Sequence, residues 1–219
     1  MIIYALFILL FIILFQFKEG FTQEKESETG ETIILLGDSI LDNKIYVKKN
    51  ESIEYLLRES PNKILFLAKD NSFISDVLLQ MNQIEKDVYD KKNLIFLSIG
   101  GNDILDSIKT KTINNKTIVH LFEDYKKLII IIKQQFLNST IYLLNIYYPT
   151  DEIYKPYYEY INEWNLLLSN YIQTNNSITE ILIDKLCYLP IDFVHKIEPS
   201  KTCSIKIAEN ILSKVKREN

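Results

Sequence analysis

Ser39, Asn102, Asp192 and His195 carry the functional groups that acyl-transfer chemistry needs, and they stand far apart in the chain. Ser39 closes the run Gly37-Asp38-Ser39, Asn102 lies in Gly100-Gly101-Asn102-Asp103, and Asp192-Phe193-Val194-His195 supplies the other two. A serine hydroxyl attacks a carbonyl only when a base takes its proton. His195 is the candidate base, which would remove the Ser39 proton and return it to the leaving group, a role worth about 10²–10⁴-fold. Asp192, three residues earlier, is the candidate to hold the far ring nitrogen and fix its tautomer. The Asn102 side chain adds an amide donor of the kind that stabilises an oxyanion, where one lost donor typically costs about 10²–10³ in turnover. Asp38 and Gly101 are expected as supporting neighbours. Together they make the inventory of a serine hydrolase.

Such residues work only if a scaffold brings them to one rim. Strand-like runs are expected at Thr32–Leu36, Lys63–Leu67, Asn93–Ser98, Thr140–Asn145 and Glu180–Ile183, apolar on both faces as central strands of a parallel sheet are. Helical stretches are expected at Ser52–Glu59, Ile74–Asp87, Val119–Phe136, Tyr157–Gln173 and Ser204–Lys216. In the second of these, Ile74, Val77, Leu78, Met81 and Ile84 recur at helical spacing. The alternation predicts a three-layer α/β/α domain over residues 32–219, with a central, mostly parallel five-stranded sheet of flavodoxin-like order. Ligands of such sheets bind beyond the carboxyl ends of the strands, where the candidate residues fall.

Length and composition fit this picture. The 219 residues are 47% apolar and 25% charged, enough for one self-supporting core without metals or staples. Twenty-five Lys and Arg against 29 Asp and Glu leave a net charge of −4, so no nucleic-acid partner is expected. Met1 to Phe17 carries no charged side chain. At about 25 Å as a helix, it reads as a signal peptide or a membrane anchor, followed by a polar linker over residues 18–31. A secreted or membrane-anchored, extracytoplasmic domain is the expectation, with orientation left open by Lys18 and Lys25. The sequons at Asn50, Asn115, Asn138 and Asn175 would mean glycosylation only in a eukaryotic secretory setting.

The motifs carry a resemblance. Leu35-Leu36-Gly37-Asp38-Ser39-Ile40, Gly100-Gly101-Asn102-Asp103 and Asp192 to His195 resemble, in order and spacing, three blocks of the SGNH (GDSL-type) esterase and lipase family. The segments Ile197-Glu198-Pro199-Ser200 and Ile207-Ala208 are similar to the tail of a microbial branch of that family, so the likeness runs from about residue 32 to 215. It implies a serine esterase acting on a lipid, a small acyl ester or an O-acetylated carbohydrate through Ser39, His195 and Asp192, with the Asn102 amide and the backbone N–H groups of Ser39 and Asn71 receiving the oxyanion, and with no metal and no cofactor. One block departs: where the family usually has a glycine after the second strand, this chain has Asn71, which tolerates a left-handed backbone better than other non-glycine residues. No G-x-S-x-G occurs, which removes the α/β-hydrolase nucleophile elbow as an alternative.

Two rival functions have residues behind them. Asp38, Asp70 and Asp103 at strand ends could hold Mg²⁺ for a phosphohydrolase. A decayed site, suggested by Asn71, would make the chain a membrane-anchored binding domain. Cys187 and Cys203 bracket the Asp192–His195 segment, either as a disulfide or as two buried thiols. Tyr142, Tyr147, Tyr148, Tyr154, Tyr157, Tyr158 and Tyr160 either wall a pocket or pack helix on sheet. His120, inside a helical pattern, reads as structural.

Overall fold

In the computed structural model, which describes residues 31–215, five short apolar runs hydrogen-bond into one parallel sheet. They are β1 (Thr32–Gly37), β2 (Ile64–Phe66), β3 (Asn93–Ser98), β4 (Thr140–Leu144) and β5 (Ile178–Ile181), in the order β2-β1-β3-β4-β5. Every residue of β1 and of β3 is buried, the pattern of strands covered on both faces. Side-chain alternation splits the core in two. Ile34, Leu36, Ile95, Leu97, Ile141 and Leu143 face one helical layer, whereas Ile33, Leu35, Leu94, Phe96, Tyr142 and Leu144 face the other.

The helices are α1 (Ile53–Arg58), α2 (Val77–Met81), α3 (Lys86–Tyr89), α4 (Gly101–Lys109), α5 (Asn115–Gln135), α6 (Tyr158–Gln173), α7 (Ile183–Leu186) and α8 (Lys201–Val215). Ser52 and Asn114 cap α1 and α5, accepting from the N–H groups of Tyr55 and Thr117. The first core is closed by α5 and α6, with Trp164 fully buried between Phe122 and Tyr125. The second is closed by α1, α7 and α8 through Ile53, Leu57, Ile183, Ile207 and Ile211. A two-stranded antiparallel hairpin, β6 (Phe193–Val194) and β7 (Glu198–Pro199), precedes α8.

The expected architecture and strand order hold, with three local corrections. The single helix expected over Ile74–Asp87 is a turn at Ile74–Asp76 followed by α2 and α3. Tight backbone bonds from Gln83 to Gln80 and from Ile84 to Met81 end it, and Leu78 faces solvent while Gln80 turns inward. The strand expected at Glu180–Ile183 lies two residues earlier, since Ile183 already opens α7. Finally, α4 follows the Gly-Gly turn where no helix was expected.

The segment expected as signal peptide or anchor, residues 1–17, and the linker expected at 18–31, except Glu31, lie outside the described residues. Among the described residues, no helix is long and apolar enough to cross a membrane.

Candidate active site

The strand order reverses between β1 and β3, and that switch point opens a cleft at their carboxyl ends. Ser39 leaves β1 there through a tight turn in which Leu41 and Asp42 donate to the Asp38 carbonyl. The turn requires glycine before it. Gly37 has φ of 134°, and a Cβ there would stand 1.8 Å from the Ser98 carbonyl oxygen. Gln80, buried, holds the same glycine from both sides: its Oε1 accepts from the Gly37 N–H and its Nε2 donates to the Gly37 carbonyl, each at 2.8 Å.

Asp38 lies beneath the serine, 2% exposed, accepting from the Ile40 N–H and from the Ser98 hydroxyl. Burial pushes its carboxyl up to about 8 against the pull of the Ile40 hydrogen bond, so at neutral pH it is largely a neutral acid. Gly101 packs near it: a Cβ there would come within 3.8 Å of the Asp38 carboxylate. Asn102, one residue into α4, lines the cleft with Ser39 and donates from Nδ2 to the Ser72 carbonyl at 2.9 Å. That leaves the second hydrogen of the amide for another acceptor. Asn71 takes the left-handed backbone allowed for it, with φ of 60°, and its exposed side chain donates to Asp70.

The last segment is arranged differently from the expectation. Asp192 is fully buried and turned away from the histidine: one oxygen accepts from the Tyr188 and Leu189 N–H groups, the other from Lys206 Nζ at 2.6 Å. His195 is exposed in the β6–β7 turn, where it and Lys196 have positive φ, and its ring approaches Tyr46 at 5.9 Å between centroids. No hydrogen bond joins Asp192 to His195, and neither His195 nor His120, which is exposed on α5, lines the cleft. The expected aspartate–histidine pairing is therefore not present in this geometry, because capping the 188–192 turn and pairing with Lys206 occupy both carboxylate oxygens.

Glu198 stands at the serine instead. It pairs with Val194 across the hairpin and lines the cleft together with Ser39, while its Oε2 is buried without a partner. Burial raises its carboxyl above the usual glutamate range, the nearby Ser39 hydroxyl opposes this, and the Asp70 charge adds to it. The signal was in the sequence as Glu198-Pro199-Ser200, but nothing in residue type alone set Glu198 rather than His195 against Ser39.

Beyond the serine, the cleft is walled by Ile104, Leu105, Ile108, Ile146, Ile161 and the rings of Tyr147, Tyr154 and Tyr157. The tyrosine-rich segment thus divides: these three rings line the cleft, Tyr142 stacks on Phe96 in the core at 4.8 Å, and Tyr148 packs edge-on to Tyr158. Tyr147 also donates to the Ile197 carbonyl at 2.8 Å and meets Phe193 edge-on, fixing the hairpin against the cleft. Cys187 and Cys203 are joined in a disulfide that closes the loop carrying Asp192, His195 and Glu198.

The three strand-end aspartates do not converge. Asp38 holds Ile40 and Ser98, Asp70 accepts from the Tyr46 hydroxyl, and Asp103, raised by burial to about 6, accepts from the Ile74 N–H. Among the described residues no group of three His, Cys, Asp or Glu side chains is placed to hold a metal ion.

No family model matches the chain, and no curated protein matches it. Solved structures do. A member of the lipolytic G-D-S-L family from Veillonella parvula superposes with a TM-score of 0.68 at 17% identity, over 84% of this chain and 97% of that one. The lipase Lip_vut3 from a goat rumen metagenome gives 0.66 at 18% identity, over 84% and 97%. Phospholipase A1 from Streptomyces albidoflavus gives 0.60 at 12% identity, over 84% and 99%. With its sheet order, its Gly37-Asp38-Ser39 turn after β1 and its cleft at the switch point, the chain has the fold of the GDSL-type lipolytic hydrolases.

Proposed function

We propose that this protein is an SGNH-type hydrolase of carboxylic esters whose acyl group is apolar, with Ser39 as the nucleophile. The observation that carries the reading is the position of Ser39: with Asp38, Asn102 and Glu198 it makes the polar part of a cleft otherwise lined mainly by isoleucine, leucine and tyrosine side chains. An acyl chain against those apolar walls would leave water, with its carbonyl beside Ser39 and Asn102. Attack by Ser39 Oγ puts negative charge on the carbonyl oxygen. The free hydrogen of the Asn102 amide and the N–H groups of Ser39 and Asn71 are the donors assigned to it. The lipolytic structures that share the fold support ester chemistry at this site.

One observation favours a second reading, a ligand-binding domain without turnover: neither histidine hydrogen-bonds Ser39. The full chain and its Ser39→Ala variant, assayed on p-nitrophenyl esters of increasing acyl length and treated with a fluorophosphonate, separate the two. Hydrolysis and labelling that both vanish with Ser39→Ala establish the esterase. A folded wild-type protein that neither hydrolyses nor labels leaves the binding domain.

A further inference from the structure

We infer that Glu198 is the group that takes the Ser39 proton, so that the nucleophile works with a carboxylate base and not with an imidazole; this rests on the ester-hydrolase reading above. Three observations converge on it. Glu198 lines the same cleft as Ser39, close enough that the serine hydroxyl pulls its carboxyl downward. Its Oε2 is buried without a partner, so one carboxylate oxygen stays available beside the reacting atoms. The hairpin that carries it is fastened on several sides: Tyr147 holds the Ile197 carbonyl, and the buried Asn43 amide donates to the Pro199 carbonyl and to the Ser204 hydroxyl. A base must lie close to the proton it abstracts, and among the described residues Glu198 is placed beside the Ser39 hydroxyl whereas neither histidine lines the cleft.

The cycle balances with water as the only co-reactant. Ser39 Oγ bonds to the ester carbonyl carbon as its proton passes to Glu198. The tetrahedral intermediate then expels the alcohol, which leaves with that proton from Glu198, and an acyl-Ser39 ester remains. Water attacks this ester while Glu198 takes its proton. Collapse releases the carboxylic acid and Ser39 oxygen, which regains the proton held by Glu198.

A carboxylate acts as base only when ionised, so activity should rise with pH through the Glu198 titration and then level. Facing this carboxylate are Asp38 from the end of β1, Asp70 from the loop after β2, Tyr46 from the loop after the nucleophile turn, and Tyr147 and Tyr154 from the segment after β4. Burial, with the Asp70 charge adding to it, holds the Glu198 titration above the ordinary glutamate range against the pull of the Ser39 hydroxyl, and the tyrosines stay neutral because burial raises each of them.

The test uses the full chain with p-nitrophenyl butyrate, comparing wild type, Ser39→Ala, Glu198→Gln and His195→Ala, each checked for folding by its thermal transition. Glu198→Gln is expected to lower kcat by about 10²–10⁴-fold with little change in KM. It should also slow fluorophosphonate labelling of Ser39, whereas His195→Ala leaves both unchanged. Should Glu198→Gln not fold, the pH profile of His195→Ala decides: retention of the wild-type rise supports the carboxylate base. The inference falls if His195→Ala abolishes turnover, or if folded Glu198→Gln turns over like wild type while Ser39→Ala does not; the esterase reading survives either result. Turnover that persists in Ser39→Ala, or is absent from the wild type together with labelling, overturns both.

Discussion

Gln80 and Gly37 form a two-point clamp, with the side-chain amide of one bonded to both backbone polar groups of the other at 2.8 Å. Gly37 is two residues before the nucleophile, and its left-handed conformation sets the direction in which Ser39 leaves the sheet. Gln80 also donates to the Ser72 hydroxyl, whose residue offers its carbonyl to Asn102. A single buried amide therefore joins the nucleophile turn to the proposed oxyanion side chain. Gln80→Leu, which removes these bonds and keeps the bulk, is expected to destabilise the fold by about 1–3 kcal/mol, because the buried Gly37 N–H loses its acceptor while the Gly37 carbonyl keeps only the Lys69 N–H. It should also lower kcat more than it raises KM. Urea unfolding and steady-state ester hydrolysis on the same preparation check both.

The disulfide between Cys187 and Cys203 encloses the turn capped by Asp192, the exposed His195 and the hairpin residue Glu198. A loop of this length constrains the unfolded chain by about 3 kcal/mol on the chain-entropy account. Reduction, or Cys187→Ser with Cys203→Ser, is expected to lower the thermal transition by several degrees. Since β6 and β7 lie wholly inside the closed loop, ester turnover near the transition should be lost before the sheet unfolds. Comparing activity loss with far-ultraviolet circular dichroism on heating, with and without reductant, tests this.

Much of the scaffold was legible because burial on both faces leaves apolar runs that only a covered strand explains. Thr32–Gly37 and Asn93–Ser98 are such runs, and the Gly37-Asp38-Ser39 and Gly100-Gly101-Asn102-Asp103 turns sit where parallel strands end. The helix α4 was hidden because its apolar residues are few and its start is a left-handed Gly100, whose Cβ would meet the Trp164 ring at 2.4 Å. The base was hidden for a different reason. Motif order points both Asp192 and His195 toward the strand-end rim that holds Ser39, but direction is set by bonds that spacing does not contain: Lys206 draws the Asp192 carboxylate toward α8, and the His195 ring in its positive-φ turn is exposed. Gln80 was equally invisible, a polar residue in an apolar helical pattern with a partner 43 positions away.

Asp38 makes the fold sensitive to pH in a definite direction. Its carboxyl has a folded-state value of about 8 against an ordinary 3.8, chiefly because burial penalises the charged form. The folded state therefore binds the proton more tightly than the unfolded state. Its contribution to stability is complete below about pH 4 and is lost progressively as pH rises through 8, at up to about 1.4 kcal/mol per pH unit. Asp103, raised to about 6, adds loss in the same direction over the lower part of that window. Unfolding free energy is thus expected to decline from pH 5 to pH 8. Asp38→Asn, which stays uncharged, should flatten that decline, as urea titrations at several pH values will show.

Asp192 has the bonds of a structural residue, and its variants should behave accordingly. Its fully buried carboxylate receives two backbone N–H groups at 2.9 and 3.0 Å and the Lys206 ammonium at 2.6 Å, so both of its oxygens serve the 188–192 turn or α8. Removing one partner of a buried ion pair typically costs about 3–5 kcal/mol, since the remaining charge has no counterion. Asp192→Ala leaves the Tyr188 and Leu189 N–H groups without an acceptor and Lys206, 31% exposed, to be solvated by water, and is expected to lie near the lower end of that range. Lys206→Met strands the Asp192 charge and should cost somewhat less, because two N–H bonds still hold the carboxylate. Below their lowered transitions, both variants are expected to hydrolyse esters with kcat close to wild type, with no change in the shape of the pH profile. An aspartate that oriented a catalytic imidazole would instead reduce kcat by several orders of magnitude while leaving the fold nearly as stable. Measuring stability and kcat on the same Asp192→Ala preparation therefore distinguishes a turn-capping carboxylate from a triad member.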